Sequence, residues 1–381
     1  MEQNEYVQLV GERERAAAMA WTRLAEGEDS AAVRLVKEVG YARALDMLEE
    51  AVTRPDDDVV GLAESSHVAR WTSRFNRDQF AADREKIESI GGFIMPGDPA
   101  WPEDIEYLGD QSPLGLWYRG DLRALTGARI AIVGSRAATP YGVTVTQDLA
   151  WELADAQVTI VSGGAFGVDA AAHRGALAAD GRTVAVFAGG LDRPYPAAHT
   201  RLFREILEAG GLLLSENPPG STSLRHRFLG RNRIIAGISQ ATLVTEAPYR
   251  SGALSTARHA LSIGREVGAV PGPITSPASQ GCHRLLREGA QCITSASEAQ
   301  EMIGYQSIEA EPLPGLRSGD AVAHDPYATR VLDALPVRKG AAIADIARIA
   351  GLSIGEAMGG LGVAELHHLA RNDGGLWRRV T

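Results

Sequence analysis

Six short runs of Val, Ile, Leu and Ala recur through the middle of this chain, at residues 130–133, 158–161, 184–187, 212–214, 241–245 and 267–270, with stretches of helical pattern between them. Runs with little polar alternation belong to strands buried on both faces, the situation of parallel strands covered by helices above and below. The intervening segments are long enough for right-handed crossovers. The pattern predicts an α/β domain with a doubly wound, mostly parallel sheet over residues 89–303.

The flanks read differently. Residues 1–88 form a small helical region, helical over 12–52 with turn signals at Gly27 and Gly40, a Pro55-Asp56-Asp57-Asp58 break, and a further helical stretch to about Ile87. A strand-like piece follows Ile90 and ends at Pro96. Residues 304–325, with Glu309-Ala310-Glu311-Pro312-Leu313-Pro314-Gly315, are acidic and rich in Pro and Gly and read as a linker. In 326–381 three helices are expected at 327–335, 343–349 and 355–369, with a turn and cap at Gly351-Leu352-Ser353. An Asp373-Gly374 hairpin turn follows within 371–379. Three helices and a hairpin predict a winged-helix domain.

The chain of 381 residues is 45% hydrophobic and 23% charged, ordinary globular composition with ample apolar material for a core. No run of about 18 apolar residues occurs, and Met1-Glu2-Gln3-Asn4-Glu5 is unlike a signal peptide, so the expectation is a cytoplasmic protein without membrane attachment. Cys282 and Cys292 lack metal-ligand spacing and are expected in packing; His173, His199, His226, His259 and His283 show no metal-like pairing. No cofactor and no metal are expected.

Against a formal net charge of −10, the segment from Arg225 to Glu266 holds seven arginines and only two carboxylates, Glu246 and Glu266. Two readings fit. One is a solvated helix face laced with salt bridges. The other is an anion site, since the guanidinium fork grips phosphate at two points and stays charged. The loops after the predicted strands favour the second. Open α/β sheets bind ligands at the carboxyl ends of their strands, beside helix N-termini. There lie Gly134-Ser135-Arg136, Ser162-Gly163-Gly164-Ala165-Phe166-Gly167-Val168-Asp169, Gly189-Gly190-Leu191-Asp192-Arg193-Pro194-Tyr195-Pro196, and Glu246-Ala247-Pro248-Tyr249-Arg250-Ser251-Gly252. Tyr195 either seals the core or stacks a base. None of the loops is a GxGxxG fingerprint or a Walker A motif, which disfavours nucleotide triphosphate hydrolysis. Several anion-binding loops along one sheet edge suit an extended single strand better than one compact phosphate.

The ordered series Ile132-Val133-Gly134-Ser135-Arg136, Ser162-Gly163-Gly164 through His173, Tyr195-Pro196, Ser215-Glu216, Arg231-Asn232-Arg233-Ile234-Ile235-Ala236-Gly237, Ser251-Gly252-Ala253-Leu254 and Val270-Pro271-Gly272 resembles the DprA/Smf family of DNA-processing proteins. The resemblance covers roughly residues 90–300. It implies a Rossmann-like domain that binds single-stranded DNA, protects incoming strands in natural transformation and loads the RecA recombinase, with no catalytic reaction. The flanks are expected to be that family's helical, SAM or helix-hairpin-helix-like, N-terminal domain and winged-helix C-terminal domain. It also implies a homodimer formed through the Rossmann-like domain, with residues 281–288 as the place to look.

On that basis Arg136, Arg231 and Arg233 are expected to pair with phosphates, and backbone amides at Gly163, Gly164 and Gly167 to cradle one. Asn232 and Ser251 would give neutral hydrogen bonds, and Ser135, Phe166, Tyr195 and Gly252 complete the expected DNA-binding set. Basic residues usual in the family are missing at Phe166, around Ala197 and His199, and at Leu229 and Gly230, so weaker phosphate contact is expected, offset in part by stacking on Phe166.

Two competitors remain. A nucleoside-monophosphate hydrolase or nucleotide sensor of related fold would use Glu246 as its acid, although the Pro-Gly-Gly-x-Gly-Thr loop of such enzymes is absent. A regulator reading duplex DNA would use the winged helix, yet residues 355–369 carry Glu356 and Glu365 and no Arg or Lys for base edges, leaving Arg371, Arg378 and Arg379 for backbone contact.

Overall fold

The computed structural model describes residues 3–54, 63–304, 326–336, 340–366, 369–373 and 375–380. They fall into two units, Met1–Tyr305 and Gln306–Thr381. Apart from Gly304, the linker expected at 304–325 lies outside the described residues, as does the Pro55-Asp58 break.

The first unit opens with five helices, α1 (Gln3–Leu24), α2 (Ser30–Val39), α3 (Tyr41–Thr53), α4 (Ser65–Thr72) and α5 (Arg77–Glu88). Strands β1 (Gly92–Ile94) and β2 (Leu116–Gly120) follow. The wound part then runs β3 (Arg129–Val133), α6 (Pro140–Asp155), β4 (Thr159–Ser162), α7 (Val168–Ala178), β5 (Thr183–Phe187), α8 (Thr200–Glu208), β6 (Leu212–Ser215), α9 (Arg225–Gly237), β7 (Ala241–Val244), α10 (Ala253–Ser262), β8 (Glu266–Ala269), α11 (Gln280–Arg287), β9 (Gln291–Cys292) and α12 (Ala296–Met302). Each of the six strands read from sequence is present, shifted by no more than about a residue, the ordinary uncertainty of strand ends.

The sheet has nine strands in the order β1-β2-β6-β5-β4-β3-β7-β8-β9. From β3 to β9 every pairing is parallel, while β1 pairs antiparallel with β2 and β2 with β6. Sequence inspection does not find β2 or the two-residue β9, because neither carries a long enough apolar run. The chain steps from β3 outward to β4, β5 and β6, then returns to β7 on the other flank of β3. This reversal makes the β3–β7 junction the switch point of the sheet.

Side chains of β3 alternate between layers. Ile130 and Ile132 join the core formed with α6, α7 and α12, and Ala131 and Val133 join the one formed with α9 and α10. Both sets are buried, which is why the strand reads as an unbroken apolar run. The helical region closes the β2 end of the sheet: Trp21 and Trp71 meet edge to face with centroids 5.2 Å apart, and the indole N–H of Trp117 on β2 donates to Thr22 Oγ1 at 3.1 Å. All three tryptophans are fully buried. Of the two cysteines expected in packing, Cys282 is buried and Cys292 is exposed on β9.

The second unit contains α13 (Pro326–Ala334), β10 (Ala341–Ala342), α14 (Ile343–Ala350), α15 (Ile354–Leu366), β11 (Ala370–Asp373) and β12 (Leu376–Arg379). A small antiparallel sheet in the order β10-β12-β11 packs on three helices, the winged-helix arrangement. Gly351 ends α14 with φ of 63°, the left-handed cap that lets the chain turn into α15. Among the described residues no single helix is long and apolar enough to cross a membrane.

Candidate nucleic-acid interface

Beyond the carboxyl ends of β3 and β7 lies a cavity of about 330 Å3, lined by residues including Ser135, Arg136, Asp169, Phe228, Arg231, Asn232, Arg250, Ser251 and Gly252. It opens at the switch point, where the chain diverges and strand-end loops leave a crevice. Backbone bonds tie the loops together: Ser135 N–H donates to Glu246 O at 2.7 Å, and Val168 N–H to Ser135 O at 3.0 Å. Gly167, with φ of 75°, must be glycine because a Cβ would collide with the Ser135 carbonyl. At Gly163 a Cβ would strike the Arg231 guanidinium.

The floor is polar, buried and largely self-satisfied. Arg231 is 3% exposed; its Nη1 donates to Gly163 O at 2.8 Å and to Val186 O, while its Nε has no partner. Burial pulls this guanidinium down to about 10, still charged near neutrality. Asp169 Oδ2 accepts from the amides of Gly163 at 3.2 Å and Ala165 at 3.3 Å. Two amides of the glycine-rich loop thus hold the protein's own carboxylate, and the phosphate cradle expected at Gly163 is already filled. Burial raises the Asp169 carboxyl above its ordinary range, although Arg231 and Arg136 pull the other way. Below it His173 is fully buried and driven down to about 3 by desolvation, with His199, Arg231 and Arg174 adding to the fall. The Thr183 hydroxyl donates to Ile160 O at 2.7 Å, so His173 Nδ1, 2.7 Å from that hydroxyl, carries the ring proton, and Nε2 is left without a partner.

Arg233 is corrected outright. It is 1% exposed and locked to Glu216 by two bonds of 2.8 and 2.6 Å, with further bonds to Gln111 O and Gly230 O, so it has no fork left for phosphate. The cause lies in α9, whose residues are all buried from Gly230 to Gly237. An arginine carried into the interior needs a carboxylate or carbonyls around it. Other arginines of the basic segment are also engaged: Arg227 with Glu26 at 2.9 Å, and Arg265 with Asp104 at 2.6 Å. For these the salt-bridge reading holds.

The rim is different. Arg136 and Arg250 are exposed, and neither makes an ion pair among the described residues. The Arg136 guanidinium lies 4.7 Å from the Phe228 ring centroid. Tyr195, 52% exposed, meets Phe228 edge-on at 5.6 Å, and Phe166, 46% exposed, meets His199 at 4.7 Å. The core-sealing alternative for Tyr195 is therefore excluded. Asn232 Nδ2 donates to Gly252 O at 3.2 Å, and Ser251 Oγ accepts from Ala253 N–H at 3.3 Å, holding the start of α10. Gly164, with φ of 70°, lies in the loop behind this rim. Asp169, Phe228 and Arg250 were not singled out from sequence. The signal for Phe228 was an aromatic among the arginines of 225–233.

Glu246, the acid of the hydrolase alternative, is 2% exposed, and its two carboxylate oxygens accept from Thr139 N–H at 2.8 Å and Thr139 Oγ1 at 2.6 Å. It clamps the start of α6 and does not line the cavity.

Residues 92–304 match the family model of DNA recombination-mediator protein A. A Mycobacterium tuberculosis protein classed as a DNA processing protein DprA is 41% identical over 379 residues, covering 95% of this chain and 94% of its own. The chain belongs to the DprA family. Among solved structures, DprA of Streptococcus pneumoniae superposes with a TM-score of 0.60 at 32% identity, covering 73% of this chain and 99% of its own. DNA processing protein A of Helicobacter pylori, reported for its single-stranded DNA binding mode, does so with 0.51 at 32% identity, covering 56% and 97%. Of the positions where the resemblance leads one to expect added charge, Phe166 and Leu229 present apolar surface, Ala197 is exposed, and His199 is buried. Gly230 is buried with Glu28 3.6 Å from where its Cβ would stand, so a cation there would meet a carboxylate.

Proposed function

We propose that this chain is a recombination mediator that binds single-stranded DNA across the switch-point crevice, protects incoming strands in natural transformation and loads the RecA recombinase. The observation that carries the reading is the rim: two exposed arginines with no ion pair among the described residues, Arg136 and Arg250, line the crevice with Phe228, whose ring meets the exposed Tyr195, and Phe166 is exposed on the adjoining glycine-rich loop. Cations that follow a backbone, alternating with rings on which bases stack, are what sequence-tolerant single-strand binding needs. The Helicobacter pylori relative supports the ligand class, and the recombination-mediator family supports the role. The protein acts as a cytoplasmic homodimer joined through the sheet domain, and carries out no catalysis of its own.

Arg231 and Arg233 are the wrong test of this site, because both are buried. The informative variant is Arg136→Ala combined with Arg250→Ala, compared with wild type by fluorescence anisotropy on labelled oligothymidylate and on duplex over a salt series. Preference for the single strand, with a salt slope that the variant flattens, is the expected result. Equal binding by wild type and variant would remove the rim from the site, and absence of strand binding at low salt would remove the function.

A further inference from the structure

A second depression, of about 350 Å3, adjoins the switch-point cavity. The two share Leu229, Arg250, Ser251 and Gly252, so they are separated only by the ridge at the start of α10. The far side is lined by Tyr249, Arg258 of α10, and Arg284 and Glu288 of α11. In a chain with net charge −10, this puts four accessible arginines (Arg136, Arg250, Arg258 and Arg284) along one continuous groove, with Arg231 buried beneath, against Asp169 and Glu288. Tyr249 is 53% exposed with the Arg284 guanidinium 5.6 Å from its ring centroid, repeating the pairing of Arg136 with Phe228 on the first side.

We infer that the groove beyond the α10 ridge is a second subsite for the same single strand. This rests on the function proposed above. The backbone crosses the ridge with a phosphate on Arg250, and a following nucleotide stacks its base on Tyr249 while Arg258 and Arg284 take the phosphates that flank it. Arg258 is exposed and lines the depression, with its Nε tied to Leu254 O at 3.2 Å. Arg284 lies in the α11 segment where the homodimer contact is also expected, so the strand would reach it beside the dimer seam; it gives its Nε to Glu288 at 2.7 Å, an exposed i,i+4 pair that a phosphate can displace at little cost. The repeated unit of one aromatic and one guanidinium on either side of Arg250 offers one strand two stacking platforms, each with a cation beside it.

The test uses the full chain and oligothymidylates graded from about 4 to about 16 nucleotides. Wild type, Tyr249→Ala and the Arg258→Ala/Arg284→Ala double variant are compared by anisotropy, and a 5-iodouracil oligothymidylate is photocross-linked and its adducts mapped. Affinity of wild type should rise in a step once the strand is long enough to cross the ridge. Tyr249→Ala should abolish the step, on the order of tenfold for the longer strands and unchanged for the shortest, with adducts at Tyr249 in wild type. If the strand binds and cross-links near Phe228 while the Tyr249 and arginine variants follow wild type at every length, the second subsite is wrong and the switch-point site stands. If wild type binds no strand at any length, both fall.

Discussion

Two sets of arginines lie within a few residues of the same crevice and do opposite things. Inside the fold, Arg231, which lines the crevice, and Arg233, which lies behind it, are enclosed by carbonyls and by Glu216, each no more than 3% exposed. On the rim, Arg136 and Arg250 reach solvent without a carboxylate partner. The density of arginine along α9 advertises an anion site, yet most of that charge is internal architecture, and the solvent-facing charge sits in the strand-end loops. Burial decides the role. A guanidinium inside the fold must be paired or it destabilises the fold, whereas one at the rim is worth little until a phosphate arrives.

The comparison can be broken most forcefully at Arg233. Arg233→Ala leaves Glu216 buried and unpaired, and should lower unfolding free energy by about 3–5 kcal/mol in urea denaturation, with strand affinity per folded molecule unchanged. Replacing both partners with apolar residues, Arg233→Met with Glu216→Leu, should recover most of the loss. A single variant that stays stable but loses strand binding would move Arg233 back to the ligand.

A second effect of the floor is its response to acid. His173 is held neutral in the fold, its value depressed from 6.5 to about 3, while the unfolded chain takes up a proton below about 6.5. Its contribution is therefore intact above pH 6.5 and is lost as pH falls toward 3, with a slope of at most about 1.4 kcal/mol per pH unit. Asp169, raised by burial, has the opposite sign: its contribution is present at low pH and lost as pH rises through its folded value. His173→Asn, whose amide can still donate to Thr183, isolates the first. Unfolding curves across this range should show a shallower acid limb in the variant; identical limbs would mean that His173 is charged in the fold.

How far the sequence discloses the molecule follows the same division. Strand runs such as 130–133 and 184–187 are legible because burial on both faces imposes an apolar composition. The strand-end loops are legible as a site because glycine is required where backbone meets backbone, at Gly167, and where backbone meets a buried guanidinium, at Gly163. The direction of an arginine is not legible, because Arg227 and Arg231, four apart on α9, have the spacing of one exposed basic face, and nothing in the pattern marks Arg233, on the other side of the helix, as internal. Only the run Ile234-Ile235-Ala236-Gly237 that follows them, buried throughout, hints that the helix dives inward. Nor could Asp169 be recognised as the acid that fills the glycine loop, since its amide partners are set by a turn and not by a motif.

On the rim the aromatic platforms should carry more of the binding energy than any single cation. Phe228→Ala or Tyr195→Ala is expected to weaken oligothymidylate binding by about 1–3 kcal/mol. Because Tyr195 is half exposed, its loss should change unfolding free energy by no more than about 0.5 kcal/mol. Loss of stability without loss of binding would place these rings with the floor.

The smallest effect distinguishes charge from geometry at Arg136. If its guanidinium meets one phosphate, Arg136→Ala lowers the slope of log affinity against log salt by about 0.7, the counterion release of one contact on a single strand. Arg136→Lys keeps the charge but cannot lie flat over the Phe228 ring as the guanidinium does at 4.7 Å. The lysine variant should therefore retain the wild-type slope while binding more weakly at every salt concentration, by a constant offset of about 0.5–1 kcal/mol for the lost cation–π contact. A lysine variant that matched alanine in slope would show that the charge must be placed by Phe228 to reach the phosphate at all. The aromatic would then be the positioning element of the rim, as Glu216 is of the floor.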